Sequence, residues 1–158
     1  MTTFRVNALW SLNGPAARDW FGLVLGHRPE GIWSVPEVIV VPARAHLTLY
    51  DVTHHDVICP EDSSPIAQPL VFAAWAVASI PAHCLEREVG VIDPAIVARV
   101  REAHGNLEGD PSTWNLRPFR PWRDEPAWHA ELRRSLHAYW DGSVIIACGM
   151  ASEGVMKD

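Results

Sequence analysis

The chain is poor in several features that announce function. Its three cysteines, Cys59, Cys84 and Cys148, are odd in number, far apart and in no C-x-x-C spacing. They signal neither a disulfide framework nor a cysteine zinc site, and buried thiols are expected. Basic residues are in deficit, 13 Lys and Arg against 19 Asp and Glu, for a net charge of -6. That balance argues against broad nonspecific affinity for nucleic acid, which scales with the phosphates neutralised, while leaving room for a local basic patch. No apolar run approaches the roughly 18 residues of a membrane helix, and Met1–Val6 lacks a basic region followed by an apolar one. A cytoplasmic protein without membrane attachment is expected. Internal repeats and low-complexity segments are missing as well.

What is present suits a single domain with one core: 158 residues, 48% of them apolar and 20% charged. Eight tryptophans are many for this length, and any outside the core need a partner or ligand face. Residues Phe4–Leu12 predict a strand ended by Asn13-Gly14-Pro15, and Trp20–Leu25 is a second apolar run stopped by Gly26. His27–Pro36, with two prolines and a glycine, predicts an exposed loop. Glu37–Val41 is a β-branched run that predicts a strand buried on both faces and ended by Pro42. From Arg44 to Asp51 the alternation predicts a half-exposed strand. Val57–Cys59 is short, Pro60–Pro65 is a polar turn, and the Leu70–Ile80 stretch predicts strand. Asp93 as cap, Pro94 as first helical residue and Ile92 stapled on Val97 predict a helix ending at Gly105, with Ile96, Val97, Val100 and Ala103 as its stripe. Gly105–Trp122 is loop-like. A helix capped by Asp124 follows through Trp140, with Trp128, Leu132 and Leu136 at helical spacing, and Val144–Cys148 predicts a last strand. The order predicts an α+β fold around a small antiparallel barrel.

Three constellations carry chemistry. His83-Cys84 sits before Glu86 and Glu88, but adjacent side chains diverge on a strand or a helix, so mutual activation is not expected. A buried thiol beside a surface imidazole is. Thr53-His54-His55-Asp56, with His46 upstream and His83 beyond, has imidazoles and a carboxylate suited to zinc or iron, yet lacks the H-x-H, H-x-x-x-H or H-E-x-x-H spacing. Neighbouring histidines in an extended chain point apart, and an exposed histidine loop is expected. Arg117, Arg120 and Arg123 recur every third residue with Phe119 and Trp122 between them. In polyproline II conformation they line one edge, able to meet phosphates while the aromatics take bases. The alternative is an arm pinned to the core by its aromatics, with its arginines paired to carboxylates.

The segment Val38–Ala45, followed by Ala78-Ser79-Ile80-Pro81, Glu86-Arg87-Glu88-Val89-Gly90 and a short helix, resembles the MazF/PemK and CcdB toxin superfamily. Ala-Ser-Ile-Pro is similar to the CcdB form, and Gly26-His27-Arg28-Pro29 is similar to the arginine-proline loop of the MazF form. The resemblance covers residues 4–104. It implies an SH3-like barrel with a short helix in residues 1–105, a homodimer neutralised by a cognate antitoxin, and action on RNA or on DNA gyrase. Residues 106–158 are then a C-terminal extension of arm, amphipathic helix and strand, packed on the same domain. In the ribonuclease branch an arginine and a hydroxyl assist attack of a 2′-hydroxyl on its own phosphate, with neither metal nor cofactor. Arg28 matches the arginine. Arg44 stands where that branch usually has the hydroxyl, and Thr48 lies four residues on; Arg28, Arg44 and Thr48 are the catalytic candidates. The gyrase branch ends in a Trp-Gly-Ile tail after the helix, where this chain has Gly105-Asn106-Leu107. The rival readings are a metal-dependent enzyme using His46, His54, His55 and His83, and a noncatalytic module that binds protein through its tryptophan-rich C-terminal third.

Overall fold

The structure, a computed structural model, describes residues 4–12, 20–28, 36–48, 51–105, 107–114, 116 and 125–140. The fold is α+β. Seven antiparallel strands, β1 (Ala8–Leu12), β2 (Trp20–Arg28), β3 (Glu37–Arg44), β4 (Val57–Cys59), β5 (Leu70–Phe72), β6 (Ala78–Pro81) and β7 (Leu85–Val91), form one sheet with helices α1 (Pro94–Gly105) and α2 (Ala127–Trp140). The order is β4-β5-β3-β2-β1-β7, with β6 also on β3. Among the described residues the sheet is not closed into a barrel: β4 and β7 end it.

The strands alternate cleanly between two packed faces, so there are two apolar clusters where one core was expected. Leu9, Leu23 and Val41 are in register and share the face that α1 covers with Ile96, Val97 and Val100. Trp10, Val24, Val38 and Val40 face the other way, against Trp128, Leu132 and Leu136 of α2. Trp10, Trp20, Trp75, Trp114 and Trp128 are all buried, as are Cys59 and Cys84. The helix starting at Asp93 forms as its residues dictate: the Asp93 carboxylate accepts from the Ala95 N–H at 2.8 Å, Ile92 and Val97 sit in one cluster, and Gly105 takes φ +124° at the end.

Several elements depart from the hydrophobic pattern. β1 begins only at Ala8, because Asn7 adopts φ 73° and its N–H donates to the Val24 carbonyl at 2.8 Å. Gly26 does not stop β2. It lies at a bulge inside the strand, where an added Cβ would come within 2.5 Å of Pro111, so the glycine is there to let the segment after α1 pack on the sheet. His27 and Arg28 therefore belong to β2 and not to a loop. Pro42 is interior to β3. It cannot donate to a ladder, and there β3 changes partner: Glu37–Val40 pair with β6, Ala43 and Arg44 pair with β5, and between them the Pro42 carbonyl accepts from Ala73. For the same reason Leu70–Ile80 is two short strands, separated by a 3₁₀ turn at Ala74–Ala76 that buries Trp75 completely.

The alternating strand expected over Arg44–Asp51 is absent among the described residues. Asp51 closes a turn instead, accepting from the Thr48 hydroxyl at 2.7 Å and the Thr48 N–H at 3.3 Å, and its own N–H donates to the Thr48 carbonyl. α2 begins at Ala127, two residues later than a cap at Asp124 predicts. Asp124, the strand expected at 144–148, Cys148, and Arg117, Phe119, Arg120, Trp122 and Arg123 of the arm lie outside the described residues. No described helix is long and apolar enough to cross a membrane.

Candidate functional site

A groove of about 430 Å³ opens where β3 leaves the sheet, lined among others by Phe21, Arg44, His46, Ile66 and Gln68. Its volume suits a nucleotide-sized ligand. Two walls of it carry unusual backbone: His46 takes φ 63° and Ala67, between Ile66 and Gln68, takes φ 57°. Left-handed conformation in residues with a Cβ costs free energy and gathers at sites that need a side chain aimed where regular structure would not aim it. His46 is exposed. Histidine is the side chain suited to moving a proton near neutral pH.

Arg44 is the cation of this groove. Its guanidinium lies 5.2 Å from the centroid of the buried Trp20 ring, and its Nη1 donates to Glu131 Oε2 of α2 at 3.0 Å. Stacking fixes the plane of the fork, so the donors point in set directions. The side chain is 26% exposed, enough to meet a ligand.

The other catalytic candidates are not gathered here. Arg28 is the strand partner of Glu37, whereas Arg44 is the partner of Trp20, so the two arginines stand at opposite ends of β3, roughly 23 Å apart along the strand. Glu37 beside Arg28 is only 5% exposed; Ser79 Oγ donates to its Oε1 at 2.7 Å, and among the described residues its Oε2 has no partner. Thr48 lies outside the groove lining with its hydroxyl engaged by Asp51.

The histidine run is not divergent as an extended chain would make it. Residues 54 and 55 form a turn in which Asp56 accepts from Thr53 N–H at 2.8 Å and Thr53 Oγ1 at 3.0 Å, and the His54 and His55 rings lie against each other with centroids 3.9 Å apart and planes tilted by 41°. Burial, then the neighbouring His54, lowers the His55 pKa. Among the described residues no three His, Cys, Asp or Glu side chains converge as metal ligands. His83 and Cys84 lie in a 3₁₀ turn between β6 and β7, with Cys84 fully buried and His83 half-buried, its pKa lowered by that burial.

Sequence reasoning missed what Asp56 does. His129 Nε2 donates to both of its oxygens at 3.1 Å, Trp75 Nε1 donates at 3.0 Å, and the Asp56 and His129 side chains are both 0% exposed. The Trp75 ring packs on His129 at 4.6 Å, and Arg133, paired with Glu125 at 3.2 Å, covers Trp75 at 4.5 Å. Trp128 Nε1 donates to the Asp51 carbonyl at 2.7 Å. Sealed from solvent, this cluster locks α2 onto the 51–56 segment and so holds Glu131 beside Arg44.

The chain matches no protein-family profile, and no curated protein is similar to it in sequence.

Proposed function

We propose that the protein is the toxin component of a toxin-antitoxin pair, acting on RNA in the cytoplasm through the Arg44–His46 groove. The observation that carries this reading is a stacked arginine and a histidine in left-handed conformation sharing the lining of one nucleotide-sized groove. Phe21 in the same lining offers a face for a base and Gln68 offers an amide for its edge. An SH3-like ancestry of the open sheet, a homodimer and a cognate antitoxin belong to the same proposal. Its support is that Val38–Ala45 spans most of β3, Ala78–Pro81 is β6 and pairs with β3, and Glu86–Gly90 lies in β7 just before α1.

The chemistry is an intramolecular displacement. The 2′-oxygen attacks its own phosphorus while His46 accepts the 2′ proton, the bond from phosphorus to the 5′-oxygen breaks, and that oxygen takes a proton from water. Products are a 2′,3′-cyclic phosphate and a 5′-hydroxyl. Arg44 stabilises the charge that builds on the non-bridging oxygens in between. Arg28, on β2 opposite the far end of β3, is left without a part in this step.

Induced expression in bacteria tests the proposal by growth, RNA integrity and DNA topology. Growth arrest with RNA fragments ending in cyclic phosphate is expected, and Arg44→Ala or His46→Ala should lower cleavage by about 10²-fold or more. Unaffected growth and intact RNA would sink the toxin reading. Altered DNA topology with intact RNA would transfer it to the gyrase branch.

A further inference from the structure

We infer that Glu131 of α2 is a charge gate on the anion site, a built-in competitor that an incoming phosphate must displace from Arg44; this rests on the groove being the RNA site. Glu131 Oε2 accepts from Arg44 Nη1 at 3.0 Å, and among the described residues this carboxylate is the only side chain that hydrogen-bonds to the Arg44 guanidinium. The contact uses one nitrogen of the guanidinium fork, while the Trp20 ring lies 5.2 Å from its carbon. A carboxylate there offers the same oxygen chemistry as a phosphate and offsets the charge on which phosphate binding depends.

Exposure separates a gate from a structural ion pair. The Glu131 side chain is 46% exposed and that of Arg44 is 26% exposed, so the pair is screened and contributes little to stability. Five residues on, Leu136 is buried, and the neighbouring His129 is sealed against Asp56, so α2 stays docked when Glu131 lets go. Only the side chain has to swing. Trp20 keeps Arg44 in place without it, which a positioning carboxylate would not allow. The negative charge therefore weakens anion binding without disordering the site.

The test measures binding of a fluorescein-labelled, mixed-sequence 2′-O-methyl RNA dodecamer, which lacks the attacking hydroxyl and is not cleaved. Glu131→Gln keeps the shape and removes the charge. It should tighten binding about three- to tenfold, as expected for deleting one like charge a few ångströms from the ligand at a partly exposed site. The salt slope should steepen by about one, because Arg44 then releases a full counterion's worth of phosphate contact. In an Arg44→Gln background, where binding is lost, the same substitution should not restore it. Unchanged or weaker binding by Glu131→Gln, in a protein where Arg44→Gln still abolishes binding, would overturn the gate and leave the groove standing. Wild-type binding by Arg44→Gln would overturn the groove itself, and the gate with it.

Discussion

At the scale of single residues, the groove is built from conformations and pairings that stability alone would not select. His46 at φ 63° is more comfortable as glycine. His46→Gly should leave the fold intact or stabilise it by up to about 1 kcal/mol in denaturant unfolding while cleavage is lost; a clear loss of stability would show that the ring packs for the fold and not for chemistry. Glu37 makes the opposite case. The residue is 5% exposed and, among the described residues, its carboxyl group receives a hydrogen bond from Ser79 on one oxygen only. Ser79→Ala removes the donor to this buried carboxyl group and should cost about 1–3 kcal/mol in denaturant unfolding, whereas a change within measurement error would mean that the hydrogen bond adds nothing to the fold. Arg44 could be picked out of the sequence as a cation in a resembling motif. His46 could be picked out only as one member of a metal-like group, since its left-handed backbone leaves no mark in residue type.

At the scale of elements, α1 was legible and α2 only half so. The cap at Asp93, the staple of Ile92 on Val97 and the stop at Gly105 are interactions between residues close in sequence, so the local pattern contains them. The apolar stripe of Trp128, Leu132 and Leu136 also shows that α2 packs, but not on what. That depends on Asp56, 73 residues away, accepting from His129 and Trp75 in a site without solvent. Asp56→Ala removes the buried carboxyl group that accepts from His129 and Trp75 Nε1 and should destabilise the protein by about 2–4 kcal/mol, read as a lowered denaturant midpoint. A loss below about 1 kcal/mol would place the hold of α2 on its leucines instead. β7 escaped the pattern for a related reason. Glu86, Arg87 and Glu88 carry no apolar alternation, yet on the outermost strand of the sheet charged side chains are what keeps an edge from pairing with other chains.

At the scale of the whole molecule, pH acts through histidines that the fold half-encloses. His83 between β6 and β7 and His55 in the 51–56 segment both have pKa values lowered from 6.5, chiefly by burial. Unfolded histidines take up protons at their ordinary value while the folded ones resist, so the unfolded state binds more protons as pH falls. The stability these two contribute is complete above about pH 6.5 and is lost progressively below it. The urea midpoint should therefore drop between pH 7.5 and 5, and His83→Gln should make that drop smaller; an equal drop in the variant would assign the dependence elsewhere. Strand pattern, helix caps and apolar stripes follow from the sequence by itself, because periodicity and capping act over a few residues, and they establish an α+β chain with a buried β3. The two-faced sheet, the change of partner at Pro42, the separation of Arg28 from Arg44, and the meeting of Arg44 with His46 and Glu131 were decided by tertiary structure alone. Each depends on which distant segments lie side by side, and in an antiparallel sheet one bulge at Gly26 or one proline in a ladder is enough to redirect every contact beyond it.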